Sequence, residues 1–68
     1  MENTSIAARV RSYVSEKQLS QKLIAKNMNI SESRLSLMLN GKRKMTVDDY
    51  LNLCIAIAVP PIKFLEGN

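Results

Sequence analysis

"LSQKLIAKNMNISESRLSLMLNGKRK", Leu19 to Lys44, carries two short apolar stripes separated by a tight turn. In its first half Ile24, Ala25 and Met28 share one face at helical spacing, and Ser20 stands where a hydroxyl caps a helix. In its second half Leu35, Met38 and Leu39 form the stripe, Ser31 is the cap and Gly41 the natural stop. Only Asn29 to Ser31 lies between the two, and asparagine adopts the left-handed conformation more readily than most residues. Two short helices, about 21–28 and 32–40 (the pair spanning about 20–40), joined this closely cross at a steep angle, as in a helix-turn-helix.

Outward from this pair the pattern stays helical. A first helix is expected from about Thr4 to Lys17, with Ile6, Val10, Tyr13 and Val14 on one stripe and Asn3 or Thr4 as its cap. Thr46 opens a fourth helix, with Asp49 completing a capping box and Asp48 suiting the positive end of the dipole. From Tyr50 to Ala58 that helix is apolar nearly all round, which predicts cover on most sides and a central place in the core. Pro60-Pro61 ends it, and Pro61 starts a short fifth helix through Leu65. No stretch alternates with period two. The expected fold is all-α, with five helices in one domain over residues 1–68.

Composition narrows the chemistry. In 68 residues there is no histidine, so the commonest general base is missing. The single cysteine, Cys54, lies in the apolar fourth helix and reads as a core thiol; with no histidine it makes no zinc site. No glycine-rich phosphate loop occurs, and Tyr13, Tyr50 and Phe64 are not arranged as a stacking platform for single strands. Enzyme activity, metal and cofactor are therefore not expected. The apolar run from Leu53 to Val59 is too short to span a bilayer, and no signal peptide is visible. Charge points to a partner: 10 Lys and Arg oppose 6 Asp and Glu, for a net +4. Nine of the ten basic residues lie from Arg9 to Lys44, opposed there only by Glu16 and Glu32. A basic surface of this kind suits a polyanion, although solvated charges alone give the same count.

The stretch from Leu19 to Lys44 resembles the helix-turn-helix of the phage Cro and repressor family, the lambda-repressor-like proteins. The matching positions are Gln21, Ala25, Asn29 (glycine in most members), Ser31, Leu35 and Asn40-Gly41-Lys42. "LCIAIAVPPIKFLEG" resembles the closing segment of the same family, so the likeness runs from about Val10 to Gly67. "KMTVDD" departs from the usual proline-bearing loop. Many members pair a Glu of the third helix with an Arg of the first; Leu39 and Val14 stand at those positions here. An apolar pair replaces a buried ion pair at little cost, so Leu39 is expected to pack on Val14.

The resemblance implies a repressor of transcription that binds operator DNA in the cytoplasm of a bacterial host, with the third helix in the major groove. It places base contacts at Glu32, Ser33 and Leu37, and the outward side of the same helix adds Ser36. Short side chains suit a groove about 12 Å wide, and Leu37 is fitted to thymine methyl groups; taken alone it also reads as a surface leucine. Glu32 suits the helix dipole as well as a cytosine amino group. Phosphate or flanking contacts are expected from Gln21, Arg34, Asn40, Lys42, Arg43 and Lys44, with Arg9, Arg11, Lys22 and Lys26 as weaker candidates. The first helix can lie too far from the duplex for its arginines to reach it. Two copies would bind a palindromic site with half-sites about 34–36 Å apart. By analogy with the family, Pro60, Pro61, Ile62 and Phe64 are the dimer contacts; they equally well close the core. A rival reading makes the protein a modulator that binds another repressor through Leu37 and Leu23, or an antitoxin on the same fold.

Overall fold

A computed structural model describes residues 5–65. The described residues form four α-helices and no strand: α1 (Ile6–Glu16), α2 (Gln21–Met28), α3 (Glu32–Leu39) and α4 (Val47–Ala56). The expected fifth helix is a single 3-10 turn, Pro61–Phe64.

Each α-helix begins on a hydroxyl. Ser5, Ser20, Ser31 and Thr46 have extended backbones, and their side chains accept from the amides of Ala8, Leu23, Arg34 and Asp49. The first cap is Ser5; Asn3 and Thr4, the expected caps, lie outside the described residues. At Thr46 the capping box is complete, because the Asp49 carboxylate accepts the Thr46 amide at 3.1 Å. That bond, helped by the Thr46 hydroxyl and the positive charges of Arg34 and Arg43, holds the Asp49 carboxyl below the usual carboxylate range.

The helices also end alike. Gln18, Asn29, Gly41 and Ala58 all have positive φ. One residue further on, the amides of Leu19, Ile30, Lys42 and Val59 return to the carbonyls of Val14, Ala25, Leu37 and Cys54. This closure satisfies carbonyls that a helix end leaves open. Only one of the four sites has glycine, so Gln18 and Ala58 hold a conformation that costs an ordinary side chain about 1 kcal/mol or more.

The core draws on every element. Val10 and Val14 of α1, Leu35, Met38 and Leu39 of α3, and Leu53 of α4 are sealed in one cluster. Leu39 and Val14, expected to pack together, are both buried. Phe64 plugs one end, edge-on to Tyr13 at 5.6 Å and to Tyr50 at 6.4 Å. The Tyr50 hydroxyl donates to the Pro61 carbonyl, and Arg9 donates to the Phe64 carbonyl at 2.8 Å, so the 3-10 turn is tied to α1 and α4. Burial raises the Tyr50 hydroxyl above the ordinary tyrosine pKa.

The expectation for α4 needs correction. Tyr50, Leu53 and Cys54 are buried, but Val47, Leu51 and Ile55 are exposed, at 75%, 40% and 78%. They recur every four residues and make one outward stripe. Other elements cover α4 on one side only, so its all-round apolar sequence reflects a core face and an open apolar face.

Candidate nucleic-acid interface

α2 and α3 pack against each other across the three residues Asn29–Ser31. Asn29 turns the chain in the left-handed conformation, φ 64° and ψ 38°, and Ser31 caps α3 at once. The turn therefore needs no glycine, and it presents the start of α2 beside the outer face of α3.

Gln21, Glu32, Ser33, Ser36 and Leu37 line one shallow, open depression of about 450 Å³ between these helices. All four residues expected to touch bases are there, with the glutamine expected to touch phosphate. Leu37 is 45% exposed, while Leu35, Met38 and Leu39 of the same helix are buried. Ser33 and Glu32 are exposed, and Ser36 is half-buried.

Lys42, Arg43 and Lys44 are exposed in the turn that leaves α3. The amides of Lys42 and Arg43 both donate to the Leu37 carbonyl, at 2.8 and 3.2 Å, which folds this basic turn back on the helix end. Gly41 carries the reversal with φ 73°. The backbone of this basic turn is thereby held against the end of α3, and its side chains are exposed there.

Three candidates are directed elsewhere. Arg34 is half-buried, its Nε enclosed, and its guanidinium lies 3.8 Å from Asp49 across to α4. It neutralises the first turn of α4 and does not line the depression. Phe64 is buried between the two tyrosines, so it closes the core and is removed from the dimer contacts; Pro60, Pro61 and Ile62 are exposed. Arg9, a weaker phosphate candidate, is engaged with the Phe64 carbonyl.

One residue has gained a place. Arg11 of α1 donates to Asn40 Oδ1 at 2.7 Å, so the first helix does reach the end of α3. Nothing local in the sequence marks this pair, which is separated by 29 positions.

Among the described residues no group of three or more His, Cys, Asp or Glu side chains is placed to hold a metal ion, and no helix is long and apolar enough to cross a membrane. No protein-family model matches the chain, and no curated protein or solved structure matches it.

Proposed function

We propose that this protein is a sequence-selective duplex-DNA-binding repressor of the lambda-repressor-like kind, similar to the phage Cro proteins, with α2 and α3 as its helix-turn-helix. The observation that carries the reading is the single open depression shared by Gln21, Glu32, Ser33, Ser36 and Leu37. Short polar side chains and one leucine let α3 enter the major groove, where Glu32 accepts from cytosine and Leu37 meets thymine methyls. Lys42, Arg43 and Lys44 neutralise phosphates at the groove edge.

One copy offers only this short face, so two copies bind a pseudo-palindrome. Their contact uses the exposed Pro60, Pro61 and Ile62, together with Val47, Leu51 and Leu65, which border an apolar groove of about 320 Å³. Selection from a pool of random duplexes tests the reading. It predicts an enriched motif of two inverted half-sites about one helical turn apart. A pool that emerges without enrichment, or enriched single strands, overturns it.

A second reading has its own observation. Leu23 is 59% exposed beside Leu19, and both line a small depression of about 260 Å³ with Ile57 and Ala58. That surface suits a protein partner such as a second repressor. Leu23→Ser separates the two: it should spare operator binding and abolish the partner complex.

A further inference from the structure

We propose that Arg11 binds a DNA backbone phosphate and, through Asn40, sets the hydrogen-bonding direction of Ser36; this rests on the reading of α3 as the groove helix. Arg11 is exposed on α1, and its Nη1 is held 2.7 Å from Asn40 Oδ1. Asn40 is the C-cap of α3, and its amide nitrogen Nδ2 donates to the Ser36 carbonyl at 2.9 Å and to the Ser36 hydroxyl at 3.3 Å. The arginine is a donor only, so it fixes Oδ1 as the acceptor and Nδ2 as the donor of Asn40. The Ser36 hydroxyl therefore receives a hydrogen bond from behind, and its own proton is left for an acceptor in the depression it lines with Ser33 and Leu37.

The guanidinium is also in the right place for a phosphate. It stands at the end of α3 from which Lys42, Arg43 and Lys44 depart, yet it comes from a different helix. One of its donors is spent on Asn40, and an arginine has five in a planar fork that matches phosphate oxygens. The hydrogen bond to Asn40 restrains a side chain that is otherwise free to sweep through solvent. A cation restrained at the exposed end of a helix that enters the groove is within reach of the strand bordering that groove. Arg11, on α1, is thus a phosphate ligand supplied from outside the α2–α3 pair.

The salt dependence of binding to a mixed-sequence duplex two helical turns long tests this. The variants are Arg11→Ala, Arg11→Gln and Arg11→Lys. Loss of one phosphate contact per copy lowers the log-log salt slope by about 0.9 for each bound copy. Arg11→Ala and Arg11→Gln should each show that fall, and Arg11→Lys should keep the wild-type slope. The glutamine variant retains an amide donor for Asn40, so its loss of slope reports charge rather than positioning. Because the side chain is exposed, all three variants should melt with the wild type. An unchanged slope in the alanine and glutamine variants, with wild-type binding intact, overturns the phosphate role while the reading of α3 stands. A wild-type protein without salt-dependent duplex binding overturns that reading, and the role of Arg11 falls with it.

Discussion

α3 and α4 lie in the same small core but meet the outside differently. α3 seals Leu35, Met38 and Leu39 and turns Ser33 and Leu37 outward. α4 is the more apolar helix, yet it leaves Val47, Leu51 and Ile55 uncovered. Burial is thus decided by where the neighbouring elements lie, not by how apolar a helix is. The outer face of α3 is wet and mixed, which suits a groove full of donors and acceptors. The outer face of α4 is a run of aliphatic side chains, which suits another protein surface. Two adjacent helices thereby offer surfaces for two different kinds of contact.

The sharpest way to break this contrast is to place the same charge on both helices. Leu39 is 1% exposed, so Leu39→Glu puts an unpaired carboxylate into the core. Such a buried charge costs about 3–5 kcal/mol, which approaches the whole stability of a domain this small. Ile55→Glu sits on the open face of α4 and should change stability by about 0.5 kcal/mol or less. Thermal melts of the two variants decide it. Adding Val14→Arg to Leu39→Glu should recover part of the loss, because the buried carboxylate then has a cationic partner. Equal melting of the two glutamate variants would mean that α3 and α4 are buried alike.

The next effect sharpens the division between the proposed DNA face and the proposed protein face. Neutralising Lys42 and Arg43 together, as Lys42→Gln and Arg43→Gln, should lower the salt slope of duplex binding by about 1.8 per bound copy. The weakening should be uniform across sequences, since phosphates carry no base identity. Leu51→Ser with Ile55→Ser should leave that slope per bound copy unchanged and should instead weaken self-association, read by sedimentation. A slope that responds to the α4 pair and not to the basic pair would exchange the two roles.

A smaller effect separates the ends of the same two helices. α3 closes on Gly41 and α4 on Ala58, both with positive φ. Alanine is strained there and glycine is not, although glycine also loosens the unfolded chain. Ala58→Gly should therefore stabilise by about 0.5–1 kcal/mol net, visible as a rise in Tm.

These ends show what the sequence reveals. Ser20, Ser31 and Thr46 were legible as caps because each is a hydroxyl residue just before an apolar stripe. Asn29 was legible as a turn residue through its own preference. Gln18 and Ala58 were not, since nothing in glutamine or alanine favours the left-handed conformation; the closing hydrogen bonds impose it. The shared outward face of Glu32, Ser33, Ser36 and Leu37 was legible because these residues recur on one helix. The outward stripe of α4 was hidden, because an apolar helix reads the same whether it is enclosed or awaits a partner. The Arg34–Asp49 pair and the Arg11–Asn40 bond were hidden because they depend on how helices meet in space.

The smallest effect decides whether the outer face of α3 differs from that of α4 in kind. Leu37 and Ile55 are both exposed aliphatic residues, and exposure alone assigns neither a task. If Leu37 reads a thymine methyl, replacing that thymine by uracil removes one methyl contact. The expected loss is about 0.8 kcal/mol or less, roughly fourfold in affinity at most. Leu37→Ala alone should weaken binding by a similar or somewhat larger factor. In the alanine variant the uracil replacement should matter little, because the methyl has already lost its neighbour. Non-additivity of this kind identifies a direct contact, which neither single change does. The comparison variant, Ile55→Ala, should show full additivity with every thymine of the operator. If Leu37→Ala is additive as well, at all thymines, its leucine does not read the groove. The outward aliphatic residues of α3 and α4 would then belong to the same kind of surface, and the contrast between the two helices would rest on Ser33, Ser36 and Glu32 alone.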